Sequence, residues 1–326
     1  MKKKIITYKE ISDSVLERLN QQFEVSYFED YEDINKDDRF SQALKEVEGI
    51  IGSGLKVDKA LLDQAPHLKI VSNISVGYNN LDIDELTKRK IMATNTPDVL
   101  TETVADTVLG LILSTARRIP ELDRFVKSGQ WKKSVTQESY SIDVHHKTLG
   151  IIGMGRIGEA IAKRAYLGFS MPILYHSRTP KPLVEEKYQA TFCSLPELLK
   201  ASDFVVLITP LTKETEGLLG LEEFRQMKKS AIFINASRGK TIVEKELIQA
   251  LKEGSIKAAG LDVFEQEPVD PANPLLTMDS VVTLPHAGSA TFETRLKMAE
   301  LAEENLIAGL KGEKPSALIN QDVWPK

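Results

Sequence analysis

The sequence predicts an α/β fold of two domains, each built around a parallel sheet. At 326 residues the chain is longer than one hydrophobic core usually supports, so two cores are expected. Short apolar runs alternate with helical patterns along the chain, which is typical of β-α-β units. A glycine-rich turn near Gly153 also joins a strand pattern to a helix pattern, as it does in doubly wound sheets.

The first hundred residues contain five short apolar runs that predict strands. Val15, Leu16 and Leu19 fall at helical spacing after the polar residues Ser12 and Asp13, which predicts a helix with its N-cap there. The alternation of such helices with strands predicts one α/β unit. The expected strands cover residues 5–8, 25–28, 49–51, 69–74 and 91–95.

The second part of the chain predicts a larger sheet. Residues 101–118 have the apolar spacing of a helix, and the polar residues 134–145 indicate a loop. A closing helix is expected at residues 293–310, with Leu296, Met298, Ala299, Ala302, Leu306 and Leu310 on its apolar face. Six runs suit the strands of a doubly wound sheet. They cover residues 148–152, 173–175, 204–208, 231–235, 258–262 and 281–284.

Charge and composition exclude several classes of protein. The net charge is -5, with acidic and basic residues interspersed, so a nucleic acid partner is not expected. The single cysteine, Cys193, excludes an intrachain disulfide and a cysteine metal cluster, which fits the reducing cytoplasm. Only Ile5 and Ile6 follow the basic start, and no apolar stretch approaches the roughly 18 residues of a membrane span. We therefore expect a cytoplasmic protein without an export signal, a membrane segment or a metal.

The glycine-rich turn predicts a dinucleotide site. Gly153, Gly155 and Gly158 form a GxGxxG pattern between an apolar run and a helical pattern. The first glycine permits a tight turn, the second lets the backbone approach a pyrophosphate, and the third lets helix and strand pack closely. The helix N-terminus adds N–H groups and positive potential. The alternative is a turn whose glycines serve packing alone.

The end of the following strand pattern favours NADP over NAD. An NAD site places Asp or Glu about 20 residues past the last glycine, on the ribose 2′-hydroxyl. This chain has no acid there, and Arg178 can instead bind a 2′-phosphate, with Ser177 adding a hydroxyl. The alternative is that Arg178 is a solvated loop charge, as most surface arginines are.

Three polar residues follow successive predicted strands in the second part of the chain: Arg238, Glu267 and His286. Because the carboxyl ends of parallel strands share one edge of a sheet, these residues are expected to converge. Arg can grip a carboxylate, His titrates near neutrality, and Glu can orient the imidazole. Such a set beside a nicotinamide suffices to reduce a 2-oxo acid. Each residue alone also has a purely structural explanation, and only the common sheet edge argues against it.

Six stretches in order resemble the D-isomer-specific 2-hydroxyacid dehydrogenases. Within that family the chain looks most like bacterial glyoxylate/hydroxypyruvate reductases and 2-ketogluconate reductases, judging by residues 73–80 and 176–178. The resemblance covers nearly the whole chain. The matching stretches are NISVGYNN (73–80), TVAD (103–106), GIIGMGRIG (150–158), FINASRG (233–239), GLDVFEQEP (260–268) and LPHAGSAT (284–291).

The resemblance implies a fold, a reaction and a site. It implies two Rossmann/flavodoxin-like domains with the active site in the cleft between them: a flavodoxin-like substrate domain of residues 1–100 plus 290–326, and a dinucleotide-binding Rossmann domain of residues 101–289. It implies NAD(P)H-dependent reduction of glyoxylate, hydroxypyruvate or 2-ketogluconate to the D-2-hydroxy acid by a homodimer. Arg238, Glu267 and His286 are the implied catalytic residues.

The same resemblance assigns binding residues. Val76 and Gly77 are implied to hold the substrate carboxylate through backbone amides, together with Arg238 and His286. Ser237 departs from relatives that carry Gly there, which leaves the charge chemistry unchanged but affects cofactor contacts. The implied cofactor-binding residues are Thr103, Gly153, Gly155, Arg156, Ile157, Gly158, Ser177, Arg178, Thr179, Pro210, Ala236, Ser237, Asp262 and Gly288.

Two other functions remain open on the same fold. A phosphite-type dehydrogenase would keep Glu267, whereas the formate dehydrogenases of this family carry Gln at that position. A dinucleotide-sensing protein similar to the C-terminal-binding corepressors would recruit partners through disordered tails. The chain ends within about 15 residues of its last predicted helix, which disfavours that alternative.

Overall fold

The chain divides into two units that each carry their own sheet. In this computed structural model, the described residues are 2–9, 11–29, 34 and 37–325. One unit consists of Met1–Leu100 and Ala290–Lys326, and the other of Thr101–Ser289. Both sheets are parallel throughout their named strands, so the two-domain α/β fold predicted from the sequence is confirmed.

The first unit contains a five-stranded sheet with the strand order β2-β1-β3-β4-β5. All five strands fall where the apolar runs predict them. The strands are β1 (Lys4–Tyr8), β2 (Glu24–Phe28), β3 (Gly49–Gly52), β4 (Ile70–Asn73) and β5 (Met92–Thr94). The helices are α1 (Asp13–Gln22), α2 (Asp38–Leu44), α3 (Lys59–Leu62), α4 (Ile83–Lys88) and, from the end of the chain, α12 (Phe292–Lys311).

The closing helix α12 packs its apolar face against this sheet. One contact in α12 and one in α1 differ from what the sequence pattern predicts. Met298, Ala299, Ala302, Leu306 and Leu310 are buried, as predicted, but Leu296 is 36% exposed because it lies at the edge of the apolar face. At the other predicted helix, Ser12 occupies the N-cap position of α1 without a side-chain capping bond. Periodicity thus located both helices but not every contact.

Asn320 closes the free edge of the first sheet. Its side-chain oxygen accepts a hydrogen bond from the Ala93 N–H at 2.9 Å, and its amide group donates to the Ile91 carbonyl at 2.9 Å and to the Thr87 hydroxyl at 3.1 Å. The backbone N–H of Ile319 also donates to the Ala93 carbonyl. Because β5 is an edge strand, this side chain satisfies backbone groups that would otherwise be left unpaired.

Replacing Asn320 with alanine is therefore expected to lower the free energy of unfolding by about 2–3 kcal/mol, since buried donors and acceptors lose their partners. Urea unfolding followed by circular dichroism measures this. Asp322→Ala, at an exposed position two residues further along, is the matched control and should stay within about 0.5 kcal/mol of the parent. Equal stability of the two variants would contradict the role given to Asn320.

The second unit contains a seven-stranded sheet with the order β12-β11-β10-β9-β6-β7-β8. Six strands match the predicted ones, and the seventh, β8, is an addition: two residues at the sheet edge are too short to show a period. The strands are β6 (Leu149–Ile152), β7 (Ile173–His176), β8 (Thr191–Phe192), β9 (Phe204–Leu207), β10 (Ile232–Asn235), β11 (Ala258–Leu261) and β12 (Val281–Thr283). The helices are α5 (Thr101–Ala116), α6 (Ile119–Lys127), α7 (Arg156–Phe169), α8 (Pro182–Tyr188), α9 (Leu195–Ala201), α10 (Leu221–Gln226) and α11 (Glu244–Glu253).

Four neighbouring strands of the second sheet are buried on both faces. All four residues of β6, β9, β10 and β11 are buried, which is why their sequences read as continuous apolar runs rather than alternating ones. Polar residues follow each of these strands at its carboxyl end, and these ends lie at one edge of the sheet. Among the described residues, none of the helices combines the length and the apolarity that crossing a bilayer requires.

Candidate active site

The three glycines of the turn after β6 have three different surroundings. Gly153 has φ +107°, and a Cβ there would lie 2.7 Å from the Ile208 carbonyl oxygen. A Cβ on Gly158 would lie 2.3 Å from the Gly153 oxygen, so this glycine permits α7 to pack against the turn. A Cβ on Gly155 would meet no atom of the described residues within 4 Å. The middle glycine therefore faces open space, at the N-terminus of α7.

These surroundings fit a dinucleotide. Gly155 is the N-cap of α7, and Arg156 and Ile157 form its first turn, so the backbone N–H groups of that turn and the helix dipole favour an anion there. Thr209 lies against the same turn, and its buried hydroxyl has no hydrogen-bond partner among the described residues. An open glycine, a helix N-terminus and an unsatisfied hydroxyl together provide a cradle for a pyrophosphate.

The loop after β7 carries the second part of the predicted cofactor site. Arg178 and Thr179 are exposed, and the Ser177 hydroxyl donates to the Thr179 carbonyl at 2.8 Å. A hydrogen bond with Thr212 is the main cause that lowers the pKa of Glu214, and the positive charge of Arg178 contributes. Arg178 thus lies close enough to the loop after β9 to interact with it.

Arg238, Glu267 and His286 follow β10, β11 and β12, which are neighbours in the sheet. The His286 Nδ1 atom lies 2.7 Å from Glu267 Oε2, and the Phe264 N–H donates to Glu267 Oε1 at 3.0 Å. Arg238 is half-buried, and its Nη1 donates to the Ser237 carbonyl at 2.7 Å. The convergence that the common sheet edge predicts is present within the second unit.

The charges of these residues influence one another. Burial raises the pKa of Glu267, but the hydrogen bonds from His286 and Phe264 and the charges of His286 and Arg238 lower it more, so the net pKa lies below its ordinary value. Burial lowers the pKa of Arg238, and the negative charges of Glu267 and Asp262 only partly offset this. Arg238 stays cationic all the same, because a guanidinium does not deprotonate in proteins.

Asp262 holds the loop that carries His286. Its carboxylate oxygens accept hydrogen bonds from the Ala287 N–H at 2.7 Å and the Gly288 N–H at 2.9 Å, and its carbonyl accepts one from the His286 N–H at 2.9 Å. Burial raises the pKa of this carboxyl, against the opposing effect of those backbone bonds. His286 has φ +53°, a left-handed conformation that is uncommon outside glycine. Asp262 is thus a support for His286, besides being a predicted cofactor residue.

A buried polar network holds the turn that carries Ala236, Ser237 and Arg238. The Ser237 hydroxyl donates to Asn235 Oδ1 at 2.7 Å and lies 2.9 Å from the Thr241 hydroxyl, which in turn donates to the Arg238 carbonyl at 2.6 Å. Ser237 is therefore engaged inside the turn. A Cβ on Gly239 would come within 1.8 Å of Phe264 backbone atoms, so only glycine fits after Arg238.

In the first unit, the loop after β4 carries the predicted carboxylate-binding residues. The Val76 carbonyl accepts a hydrogen bond from Asn95 Nδ2 at 2.9 Å, and the Gly77 carbonyl accepts one from Asn73 Nδ2 at 3.0 Å. The N–H groups of Val76 and Gly77 have no acceptor among the residues that the structure describes. Two adjacent free N–H groups are suited to binding an anion.

The remaining predicted residues lie around the second sheet. Thr103 is in the first turn of α5, and its carbonyl accepts from Thr107, which also donates to the Gly288 carbonyl. Pro210 is exposed in the loop after β9. The described residues contain no group of three or more His, Cys, Asp or Glu side chains that could hold a metal ion.

Sequence reasoning missed several residues that position the site rather than form it. Asn73 and Asn235 end β4 and β10, so their place at the carboxyl edge of each sheet was a usable signal. Thr241 and Thr209 carried no signal, because the hydrogen bonds of a threonine hydroxyl depend on its side-chain direction, which the residue type does not indicate.

Comparison with known proteins gives a family match and close relatives. The family model for the D-isomer specific 2-hydroxyacid dehydrogenase, NAD binding domain, matches residues 109–288. The chain is 51% identical over 323 residues to glyoxylate/hydroxypyruvate reductase B of Escherichia fergusonii, covering 99% of each chain. It is 50% identical over 325 residues to the Klebsiella pneumoniae protein of the same name, covering 99% of this chain and 100% of that one.

Solved structures show the same similarity. An NADPH-dependent glyoxylate/hydroxypyruvate reductase from Sinorhizobium meliloti, in complex with NADP and malonate, matches with a TM-score of 0.89 at 34% identity, over 100% of this chain and 99% of that one. A protein from Thermus thermophilus matches with a TM-score of 0.89 at 38% identity, over 97% of this chain and 99% of that one. The fold is therefore shared along the full length.

Proposed function

Because this chain belongs to the D-isomer-specific 2-hydroxyacid dehydrogenase family, we propose that it reduces glyoxylate or hydroxypyruvate with NADPH, through Arg238, Glu267 and His286. The chain is an NAD(P)-dependent oxidoreductase that reduces 2-oxo acids to D-2-hydroxy acids. We assign residues 101–289 to dinucleotide binding, in line with the family match at 109–288, and residues 1–100 plus 290–326 to the substrate.

The observation that carries the catalytic assignment is the hydrogen bond of 2.7 Å between His286 and Glu267, next to Arg238 at the end of adjacent strands. A bound nicotinamide supplies hydride chemistry. Protonated His286 gives its proton to the carbonyl oxygen of the 2-oxo acid, and ionised Glu267 orients the imidazole and stabilises its charge. Arg238 stabilises the negative charge that develops on the substrate oxygen.

Val76 and Gly77 are proposed to hold the substrate carboxylate through their N–H groups. This is supported by the two N–H groups that lack an acceptor among the described residues, and by the carbonyls that Asn73 and Asn95 hold. The malonate named with the Sinorhizobium meliloti reductase is a carboxylate, which agrees with an anion site in that relative. Glyoxylate and hydroxypyruvate each carry the one carboxylate that such a site requires.

The preference for NADPH is proposed from Arg178 and Ser177. Arg178 is exposed at the end of β7 and provides a guanidinium for the 2′-phosphate, whereas no acid is present there to bind a ribose 2′-hydroxyl. The Sinorhizobium meliloti relative is described as NADPH-dependent and was solved with NADP. Thr103, Gly153, Gly155, Arg156, Ile157, Gly158, Thr179, Pro210, Ala236, Ser237, Asp262 and Gly288 complete the proposed cofactor site.

We also propose a homodimer in the cytoplasm. The segment of residues 119–140 exposes five large apolar side chains, Ile119, Val126, Trp131, Val135 and Tyr140, each at least half exposed. Large apolar side chains exposed to this degree in one segment are typical of an interface. The single cysteine suits a reducing compartment.

The test of the proposed function is the fall in NADPH absorbance, and separately in NADH absorbance, with glyoxylate, hydroxypyruvate and 2-ketogluconate as acceptors. We expect turnover with the first two and a higher kcat/KM for NADPH. Oxidation of phosphite with NADP is run in parallel, because a phosphite dehydrogenase would keep Glu267. No reduction of any acceptor, or turnover with phosphite alone, would contradict the proposal.

A further inference from the structure

The loop between β7 and α8 carries the residues proposed to read the 2′-phosphate, and it is short. Residues 177–181 connect the last residue of β7, His176, to the first turn of α8. The start of the loop is fixed, because the Gly153 N–H donates to the His176 carbonyl at 2.9 Å. The remaining question is what fixes its far end, where α8 has no side-chain cap of its own.

The side chain of Tyr175 fixes that far end of the loop. The Lys181 N–H donates to the Tyr175 hydroxyl oxygen at 2.6 Å, and the same hydroxyl donates to Glu185 Oε1 at 2.5 Å. Tyr175 is fully buried, and its ring packs against Phe192 with centroids 5.5 Å apart. One buried hydroxyl in β7 thus connects this strand, through two hydrogen bonds, to the end of the loop at Lys181 and to Glu185 in α8.

We propose that Tyr175, together with Glu185, is a positioning residue for recognition of the cofactor's 2′-phosphate. This rests on the NADPH preference proposed above. Tyr175 does not reach the cofactor in this scheme; it limits the conformations open to Arg178, three residues further along, so that the guanidinium is held in place before the phosphate arrives. A preorganised group loses less conformational entropy on binding, and that gain belongs only to the ligand that carries the phosphate.

The chemistry of the hydroxyl suits this role. Burial, followed by the hydrogen bond with Glu185, raises the pKa of Tyr175 to about 12. The hydroxyl therefore keeps its proton near neutral pH and can donate to Glu185 while it accepts from Lys181. Neither bond has a substitute in the loop itself, since the Ser177 hydroxyl is bonded to the Thr179 carbonyl.

The test variant is Tyr175→Phe, which keeps the ring and its packing and removes only the hydroxyl. We expect kcat/KM for NADPH to fall about tenfold through KM, because both hydrogen bonds that hold the far end of the loop are lost, one of them to the charged Glu185. The values for NADH should stay within about twofold, and kcat should be unchanged with either cofactor, because the hydride-transfer site is untouched. Glu185→Gln is the matched control: its amide oxygen still accepts from Tyr175, so it should retain most of the preference.

A binding measurement separates this effect from catalysis. Adenosine 2′,5′-bisphosphate and 5′-AMP differ in the 2′-phosphate, and calorimetric titration should show weaker binding of the first to Tyr175→Phe with the second unchanged. An equal loss for both probes would mean a general structural defect and would overturn the proposal. If Tyr175→Phe does not fold, Glu185→Ala removes one of the two bonds, and an unchanged ratio of the two affinities in that variant would also overturn it.

The wild-type protein and Arg178→Ala show which proposal has failed. A wild type without preference for NADPH or for the 2′-phosphate probe overturns the cofactor proposal and the role of Tyr175 with it. A wild type with a preference that Arg178→Ala removes, but that Tyr175→Phe leaves intact, overturns the role of Tyr175 alone.

Discussion

Replacing His286 with asparagine is expected to lower kcat for 2-oxo acid reduction by about 100-fold to 10,000-fold, the usual contribution of a positioned general acid. Asparagine is chosen because it tolerates the left-handed φ of +53° that His286 adopts, so the loop held by Asp262 should keep its shape. NADPH binding, followed by fluorescence, should be unchanged. A kcat within tenfold of the parent would remove His286 from the proposed mechanism.

The pH profile of the same reaction tests the partner of His286. The folded state lowers the pKa of Glu267, so this carboxylate is ionised at neutral pH; its contribution to stability is present above its unfolded pKa and is lost as the pH falls through the folded value. Below that value Glu267 takes up a proton and no longer stabilises the charge of the imidazole, so the kcat of the parent should fall on the acid side of the profile. Glu267→Gln has no carboxylate to protonate, so this acid-side fall should be absent from its profile. An acid-side fall with the same midpoint in both proteins would contradict the electrostatic role of Glu267.

Replacing Arg238 with lysine is expected to lower kcat/KM by about 100-fold to 1,000-fold, although the charge is kept. A lysine ammonium lacks the planar fork that binds two oxygens at once, and its shorter reach would alter the contact with the Ser237 carbonyl. Burial lowers the pKa of Arg238, and a lysine placed there would be neutralised far more readily.

The control for that variant lies two residues along the chain. Lys240 is exposed, and Lys240→Ala should change kcat/KM less than twofold, which shows whether a charge change in this turn is enough to disturb the reaction. Steady-state kinetics with NADPH and glyoxylate measure both variants. Comparable kinetics of Arg238→Lys and the parent would mean that a point charge suffices and that the planar guanidinium of Arg238 does not contribute to catalysis.

Much of the fold followed from the sequence because it depends on local patterns. Buried parallel strands read as continuous apolar runs, and five strands of the first sheet and six of the second lie where those runs predict them. The strand β8 was missed because Thr191 and Phe192 are too few residues to carry a period. Leu296 lies at the edge of the apolar face of α12, and a sequence pattern does not indicate the exposed fraction of a side chain at such an edge.

The sequence by itself determined the order of the elements, the glycine turn, and the succession of Arg238, Glu267 and His286 behind three strands, because each depends on a few adjacent residues and on the shared edge of a parallel sheet. The tertiary structure decided particular side-chain contacts: Asp262 on the His286 loop, Thr241 on Ser237, and the Tyr175 hydroxyl on Lys181 and Glu185. These are hydrogen bonds of 2.5–2.9 Å that require particular side-chain directions, and such directions are set only when the packed chain leaves one arrangement that satisfies every buried polar group.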